Sequence, residues 1–276
     1  MGYNSALQKT RPDTRKDGIM TYLNRYRLDG KVALITGASR GIGRATALGF
    51  AEAGADVAVA SRKLPDLESL AAEIRKTGRR ALAVECHLGR IGEIDGLVER
   101  VKDEFGRIDI LVNNAGTSPA MSPAEDVDER LWDSIMNLNL KGLFFLSGAV
   151  ARVMKEHGGG RIINVASMDG FKPEPQIGVY AISKAGVIMA TRVMALEWAQ
   201  YNIRVNTLAP GNVHTRLGDS RFLAMPEYEE EMIKKTPLGR IADPDEMVGA
   251  MIYLASDASS FVTGECLTAD GGISLY

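Results

Sequence analysis

The stretch Thr36-Gly37-Ala38-Ser39-Arg40-Gly41-Ile42-Gly43 decides the fold of this chain. It follows a short apolar run, Val32–Ile35, and leads into an alanine-rich segment with helical periodicity, Arg44–Ala53. Glycines let a backbone approach a pyrophosphate closely, and a helix N-terminus supplies free N–H donors and the positive end of a dipole. A strand, a glycine turn and a helix in this order predict a phosphate-binding loop.

The same alternation of strand and helix continues towards the C-terminus. Further apolar runs end at Gly, Asn or Pro, and longer segments with helical periodicity separate them. Most of the runs are continuously apolar, as in strands that helices cover on both faces. The pattern predicts a Rossmann-like α/β fold: a doubly wound sheet of about seven parallel strands in a single domain over residues 28–276. The other predicted strands are Asp56–Ala60, Ala81–Glu85, Ile110–Asn113, Arg161–Val165, Arg204–Leu208 and Cys266–Ala269.

Composition narrows the class of protein. The 276 residues include 33 Lys and Arg against 35 Asp and Glu, for a net charge of -2. This balance predicts no nucleic-acid partner, and no apolar run approaches the roughly 18 residues of a membrane helix. Cys86 and Cys266 have no C-x-x-C partner, so we expect a cytoplasmic protein. Residues 1–27 are predicted to form a flexible arm, and the three histidines have no metal-ligand spacing.

A Tyr-x-x-x-Lys pair lies at the start of a predicted helix. Tyr180 and Lys184 are four residues apart, so both side chains lie on one face of that helix. Reduction of a ketone by hydride builds negative charge on its oxygen, which then needs a proton donor. A phenol has an unperturbed pKa of about 10, and a neighbouring ammonium lowers that pKa, so the pair predicts an acid/base near neutrality. Ser167, after the predicted fifth strand, is the candidate group that binds the substrate oxygen; a serine that caps a turn is the alternative.

Together these motifs resemble those of the short-chain dehydrogenase/reductase family. Residues 36–43 fit its T-G-x-x-x-G-x-G turn, and the spacing from Ser167 to Tyr180 is the one the family uses. The resemblance implies pro-S hydride transfer between a nicotinamide cofactor and a carbonyl or secondary alcohol. For Asn139 it implies a backbone carbonyl that helps to hold a water; a polar residue that merely bends the helix is the alternative there. The implied catalytic residues are Asn139, Ser167, Tyr180 and Lys184.

The end of the second strand predicts the choice of cofactor. Where an NAD enzyme places an acidic residue for the ribose 2′-OH, this chain has Ser61-Arg62-Lys63. With Arg40, these residues would form a charge-assisted cradle for a 2′-phosphate, so NADP(H) is expected in preference to NAD(H). A solvated basic turn is the alternative. The predicted cofactor contacts are Gly37, Ser39, Arg40, Gly41, Ile42, Gly43, Ser61, Arg62, Lys63, His87, Leu88, Asn114, Ala115, Gly116, Tyr180, Lys184, Pro210, Gly211, Val213 and Thr215.

Three of the segments that supply these contacts are interpreted through the family resemblance. Asn113–Gly116 matches the family motif beside the adenosine half of the cofactor. Pro210–Thr215 matches the segment whose backbone and threonine hydroxyl bind the carboxamide. His87 departs from the pattern, because the family usually has an aspartate there for the adenine amino group. Hydrogen bonding and stacking are both open for His87.

The segment from about 215 to 235 is predicted to form a lid over the substrate. A mostly apolar pocket is expected, suited to medium-sized ketones. The alternatives are a 3-oxoacyl thioester reductase with a basic rim, a sugar or polyol dehydrogenase, and a non-catalytic NADPH-binding protein. The pocket candidates are Thr117–Pro119, Met168, Phe171, Leu217, Phe222 and Met225, and the rim candidates are Arg216, Arg221, Lys234, Lys235 and Arg240.

The predicted helix after Tyr180 carries a wide apolar stripe. Its members include Val187, Met189, Val193 and Met194. One buried face would not cover a stripe of this width. Family members pair this helix between subunits, so we expect a homotetramer.

Overall fold

In the computed structural model, which describes residues 22–218 and 226–275, a single seven-stranded sheet organises the chain. All its neighbouring strands are parallel, and their order is β3-β2-β1-β4-β5-β6-β7. This confirms the predicted doubly wound sheet, and every predicted strand boundary lies within two residues of the observed one. The strands are β1 (Val32–Thr36), β2 (Asp56–Ser61), β3 (Ala81–Glu85), β4 (Ile110–Asn113), β5 (Gly160–Val165), β6 (Ile203–Pro210) and β7 (Cys266–Ala269).

Helices cover both faces of the sheet and bury two separate apolar clusters. On one face, Val101, Val150 and Val187 pack into the first cluster. On the other, Phe50 and Leu70 belong to the second. Strands buried on both sides explain why the apolar runs are continuous rather than alternating. The helices are α1 (Gly41–Glu52), α2 (Leu64–Lys76), α3 (Ile94–Phe105), α4 (Glu129–Met136), α5 (Leu143–Glu156), α6 (Gly178–Trp198), α7 (Pro226–Lys235) and α8 (Val248–Ala255).

The long helix predicted before β5 is interrupted. Between α4 and α5 the backbone forms a π-helical segment, Asn137–Gly142. A Cβ at Gly142 would lie 2.3 Å from the carbonyl oxygen of Leu88, so the backbones approach closely at this point. A π-helical turn holds an extra residue, and such turns occur frequently at functional sites. The apolar pattern of the sequence predicts a helix before β5 but does not indicate the extra residue in this turn.

The last residues of the predicted N-terminal arm are packed against the domain. Tyr22–Tyr26 forms a 3-10 turn. Arg25 donates a hydrogen bond to the Ser260 hydroxyl at 3.1 Å, and the rings of Tyr26 and Tyr253 are 6.5 Å apart. The prediction of a flexible arm therefore does not hold for this turn, and residues 1–21 lie outside the described part of the chain.

Two helical stretches are long and apolar enough to cross a membrane. They are Glu129–Glu156 and Gly178–Tyr201. Half of the most apolar window of the first and 61% of that of the second are buried within the domain. Both stretches contribute to the cluster on one face of the sheet. Packing in the core accounts for the buried part of their apolar character.

Candidate active site

A deep cleft opens at the carboxyl ends of the strands. The space within it, including the part that is open to solvent, is about 1510 Å³. It is lined by the residues that follow β1 to β6, and it lies beside the point between β1 and β4 where the strand order reverses. Ligands of open α/β sheets bind at this position. The residues that line the cleft come from a stretch of sequence that begins at Gly37 and ends at Gly218.

The glycine loop forms one wall of the cleft. Gly37 and Gly41 have φ angles of +63° and +56°, which residues with a side chain rarely adopt. A Cβ at Gly37 would lie 2.8 Å from the Cα of Ala115, and one at Gly41 would lie 3.2 Å from the Thr215 methyl group. The N-terminus of α1 follows directly, with its first N–H groups lacking partners within the helix. The loop thus has the close approach and the donors that a pyrophosphate needs.

Asn114 fastens this loop to the end of β4. Its backbone N–H donates to the Thr36 hydroxyl at 3.0 Å, and its side-chain amide donates to the carbonyls of Thr36 and Gly37 at 3.0 and 3.1 Å. A Cβ at Gly43 would lie only 2.4 Å from this amide nitrogen. Gly43 does not line the cleft, unlike the other predicted cofactor contacts. Its lack of a side chain makes room for Asn114 behind the loop.

One end of the cleft is basic. Arg40, Arg62 and Lys63 are exposed there, beside the half-buried Ser61 that closes β2. His87 lies at the same end, and its Nδ1 accepts a hydrogen bond from the Gly89 N–H at 3.1 Å. Among the described residues that line the cleft, the only acidic one is Asp169. The basic end therefore favours an anionic group.

Ser167, Tyr180 and Lys184 meet at the other end of the cleft. Their exposed fractions are 7%, 7% and 4%. The Lys184 Nζ donates to the Val165 carbonyl at 2.8 Å and lies 5.5 Å from the centre of the Tyr180 ring. Burial lowers the pKa of Lys184 from 10.5 to about 8, and the nearby charge of Asp169 opposes that shift. The helical spacing thus places an ammonium beside the phenol, as predicted.

Asn139 lies behind these residues, inside the π-helical segment. Its side-chain oxygen accepts from the Thr117 N–H at 2.8 Å, and its amide donates to the Thr117 carbonyl at 2.9 Å and to the Ser183 hydroxyl at 3.1 Å. The side chain therefore joins the loop after β4 to α6. A Cβ at Gly116 would lie 3.5 Å from both the Asn139 oxygen and the Lys184 nitrogen, so Asn139 is close to the predicted catalytic lysine.

Asp169 is a site residue that the sequence analysis missed. Its Oδ2 accepts a hydrogen bond from the Ser167 hydroxyl at 3.0 Å, and its N–H donates back to that hydroxyl at 3.2 Å. Only 6% of the residue is exposed. Acidic residues are seldom buried to this degree. The available signal was an aspartate two positions after the candidate serine, at the end of a buried strand.

Only some of the residues that were predicted to form an apolar pocket line the cleft. Leu217 lines the cleft, whereas Met168 packs with Met232 and Ile273 away from it. Phe171 and the Thr117–Pro119 turn are not among the lining residues. Phe222 and Met225, within residues 219–225 of the predicted lid, lie outside the described residues. The described wall next to Ser167 is therefore more polar than expected.

Comparison with known proteins agrees with this geometry. A family model described as enoyl-(acyl carrier protein) reductase matches residues 37–274. A 2-dehydro-3-deoxy-D-gluconate 5-dehydrogenase of Escherichia coli is 40% identical over 251 residues, which are 91% of this chain and 98% of that protein. A crystal structure of a short-chain type dehydrogenase/reductase from Mycobacterium marinum superposes with a TM-score of 0.86 at 40% identity, covering 92% of this chain and 99% of that one.

The chain belongs to the short-chain dehydrogenase/reductase family. It is an oxidoreductase that acts on alcohol and carbonyl groups. A second solved relative is a gluconate 5-dehydrogenase from Burkholderia cenocepacia J2315, in complex with NADP and tartrate. It is 38% identical with a TM-score of 0.89, and the match covers 93% of this chain and 100% of that one. A nicotinamide dinucleotide is thus the cofactor class of this short-chain dehydrogenase/reductase.

Among the described residues, no group of three His, Cys, Asp or Glu side chains is arranged to hold a metal ion.

Proposed function

We propose that this short-chain dehydrogenase/reductase interconverts a ketone and a secondary alcohol, with NADP(H) as its preferred cofactor and Tyr180 as the acid/base. The observation that carries the proposal is the buried Lys184 ammonium beside the Tyr180 ring, at the end of the cleft opposite the basic one. Bound NADPH supplies the hydride. The protein's own residues supply the proton and hold the substrate oxygen.

Tyr180 gives its phenolic proton to the substrate oxygen during reduction and takes it back during oxidation. The Lys184 ammonium favours the phenolate by charge, which brings the proton transfer towards neutral pH. Ser167 binds the same substrate oxygen through its hydroxyl. Asn139 holds the loop after β4 against α6. These contacts fix Lys184 at the end of the cleft that contains Ser167 and Tyr180.

Preference for NADP(H) is supported by the basic end of the cleft. A 2′-phosphate there would meet Arg40, Ser61 and Arg62, all of which line the cleft. Guanidinium groups bind phosphate through paired, charge-assisted hydrogen bonds. An acidic residue, which would pair with the 2′-OH of NAD, is absent from the described lining at that end.

Carbonyl reduction should weaken as the pH rises through about 8. Below that pH Lys184 carries its proton, and above it the buried amine is neutral and no longer favours the Tyr180 phenolate. We expect kcat/KM to fall by about tenfold per pH unit above 8, since this parameter reports groups of the free enzyme. NADPH affinity and the unfolding temperature at each pH serve as controls. A kcat/KM that stays constant above pH 8 in a folded, NADPH-binding protein contradicts this role for Lys184.

Most of the described rim does not favour a carrier-protein substrate; of the predicted rim cations, Arg216 is exposed and lines the cleft. Three of the predicted rim cations are held by glutamates, and α7 carries further acidic residues at Glu227 and Glu229. An acidic carrier would need free positive charge at this edge. Arg221 lies outside the described residues. The pairs are Lys234 with Glu230, Lys235 with Glu231 and Arg240 with Glu246.

Two exposed apolar surfaces support a homotetramer. The first lies on α5 and α6, where Val187 and Met194 face the core but other apolar residues face outwards. The second flanks the edge strand β7 and includes Phe261, which is fully exposed. Two distinct self-complementary surfaces produce a tetramer with twofold axes. The first surface comprises Phe144, Phe145, Ile182, Met189, Val193 and Leu196, and the second comprises Leu238, Phe261 and Leu275.

Light scattering on the purified protein should give four times the 29.8 kDa chain mass. Leu196→Glu, on the first surface, should reduce the assembly to dimers because it places a charge in an apolar interface. Glu197→Gln, one residue away, is the matched control and should leave the tetramer intact. A monomer mass for the unmodified chain rules out the assembly.

We further propose a cytoplasmic location. Cys86 and Cys266 are both free, as is usual for thiols in a reducing compartment. Burial raises the pKa of the Cys86 thiol to about 11, which makes it unreactive.

The proposed function is tested by following NADPH absorbance with butanone, aromatic ketones, acetoacetyl thioesters and ketoses as candidate substrates. We expect oxidation of NADPH with at least one ketone, and slower oxidation of NADH with the same ketone. A protein that binds NADPH but oxidises it with none of these substrates contradicts the proposal.

A further inference from the structure

Ser183 lies on α6 between the two residues of the acid/base pair, and the proposed reaction does not use it. It comes three residues after Tyr180 and one before Lys184, and its exposed fraction is 0%. Its hydroxyl donates a hydrogen bond to the Tyr180 carbonyl at 2.7 Å and accepts one from the Asn139 amide at 3.1 Å. The hydroxyl therefore joins the backbone of α6 to the π-helical segment.

The hydrogen-bond donors of the Asn139 and Ser183 side chains are each used once. The Asn139 amide has two N–H groups, of which one donates to the Thr117 carbonyl and the other to Ser183. The Asn139 oxygen accepts from the Thr117 N–H, and the single Ser183 hydroxyl proton goes to the Tyr180 carbonyl. A buried network of this kind holds one arrangement, because breaking any of its bonds leaves a buried polar group without a partner.

The network also lies against Lys184. Within an α-helix each N–H donates to the carbonyl four residues before it, so the Tyr180 carbonyl also accepts from the backbone N–H of Lys184. The Asn139 oxygen is close to the other end of this lysine, since a Cβ at Gly116 would lie 3.5 Å from both the Asn139 Oδ1 and the Lys184 Nζ. Ser183 thus joins a contact of the Lys184 backbone to a side chain near the Lys184 ammonium.

Close packing of α6 against the π-helical segment brings these groups together. Ser183 and Gly186 are three residues apart, so they lie on one face of α6. A Cβ at Gly186 would lie 2.7 Å from the Leu140 side chain, which belongs to the π-helical segment. The absence of a side chain at Gly186 therefore lets α6 approach this segment until the short Ser183 hydroxyl reaches Asn139.

We propose that Ser183 is a positioning residue for the reaction. Its hydroxyl fixes the Asn139 side chain against the first turn of α6, and this keeps Tyr180 and Lys184 aligned with a bound substrate. Ser183 is not one of the described residues that line the cleft, so it acts through Asn139 and the backbone of α6. This inference rests on the proposed function, because that function assigns Tyr180 and Lys184 their roles.

Ser147 provides a matched control. It is equally buried on α5, where its hydroxyl donates to the Leu143 carbonyl at 2.8 Å and accepts from the Asn113 amide at 2.8 Å. The two serines therefore have the same burial and the same kinds of hydrogen bond, but Asn113 has no part in the proposed acid/base chemistry. A loss of turnover that is specific to Ser183 cannot come from the loss of buried hydrogen bonds in general.

The test compares Ser183→Ala, Ser147→Ala and the unmodified chain, with NADPH and a ketone that the unmodified chain reduces. Each variant leaves a buried asparagine N–H without its acceptor, so we expect both to lower the unfolding temperature by a few degrees. We expect kcat to fall by about tenfold or more in Ser183→Ala and to change less than about twofold in Ser147→Ala, because small displacements of reacting groups slow a reaction strongly. KM for the ketone and for NADPH should change less than about threefold in both variants.

A double-mutant cycle tests whether Ser183 acts through Asn139. In a chain that already carries Asn139→Ala, Ser183→Ala should lower kcat by less than about a further twofold, because the side chain that it positions is gone. Ser183→Cys keeps a group of similar size with weaker hydrogen bonding. Its kcat should lie between those of the unmodified chain and Ser183→Ala, and it replaces the alanine variant if that variant does not fold.

The results separate the two proposals. Equal kcat values in Ser183→Ala and Ser147→Ala, or a full additional loss when Ser183→Ala is combined with Asn139→Ala, overturn the positioning role and leave the proposed function standing. Absence of turnover with every ketone, in an unmodified chain that binds NADPH, overturns both.

Discussion

Tyr180→Phe should lower kcat by about 10²–10⁴-fold, the range that general acid/base catalysis contributes, and should leave NADPH binding nearly unchanged. The substitution removes one hydroxyl from a side chain that is almost wholly buried, and the ring still packs as before. The substrate oxygen then has no phenol beside Lys184 from which it can take a proton. Hydride transfer is therefore slowed even though both ligands bind.

The measurement is steady-state turnover together with NADPH affinity from quenching of protein fluorescence. Tyr201→Phe is the matched control, because the Tyr201 ring lies beneath the Lys155 ammonium and does not line the cleft. That variant should retain full activity. Turnover of Tyr180→Phe within a few fold of the unmodified chain would refute the acid/base assignment.

Arg62→Asp should reverse the cofactor preference from NADPH to NADH. The change replaces a guanidinium by a carboxylate at the end of β2, which repels a 2′-phosphate and accepts a hydrogen bond from a 2′-OH. A charge-assisted hydrogen bond contributes about 1.5–3 kcal/mol, so its loss together with a new repulsion should change the ratio of kcat/KM values by about 10²-fold or more.

Both cofactors are compared with one ketone under the same ionic strength, because salt screens exposed charges. Arg130→Asp has the same change in charge on α4, outside the cleft lining, and should leave the preference unaltered. If Arg62→Asp still prefers NADPH as strongly as the unmodified chain, another group binds the 2′-phosphate.

The sheet was predictable because each strand is buried on both faces. Residues such as Leu34, Val59 and Val112 are fully enclosed, and a run of apolar residues is the direct consequence. The glycine loop and the Tyr180–Lys184 pair were predictable because their spacing alone sets their geometry. Gly37, Tyr180 and Lys184 line one cleft, whereas Gly43 does not.

The features that escaped prediction depend on contacts between distant segments. The π-helical segment requires the close approach of Gly142 to Leu88, which no local pattern registers. Gly43 leaves room for the Asn114 amide behind the loop and does not line the cleft. Asp169 resembles an ordinary turn residue until the fold buries it beside Ser167 and near Lys184.

The substrate pocket was the least predictable part. Met168 is apolar, as a residue of the predicted pocket should be. Its side chain packs against Met232 and Ile273 and does not line the cleft. The turn Tyr22–Tyr26 was predicted to belong to a flexible arm because the residues before it are mostly polar. Its contact with Tyr253 joins residues that are distant in sequence, so no local pattern indicates it.

The most direct test of the proposed reaction is isotope transfer. The unmodified chain is incubated with (4S)-deuterated NADPH and a ketone that it reduces, and the alcohol is analysed by mass spectrometry, with (4R)-deuterated NADPH as the control. We predict one deuterium on the carbinol carbon from the (4S) cofactor and none from the (4R) cofactor. An unlabelled alcohol from the (4S) cofactor would contradict transfer of the pro-S hydride in this site.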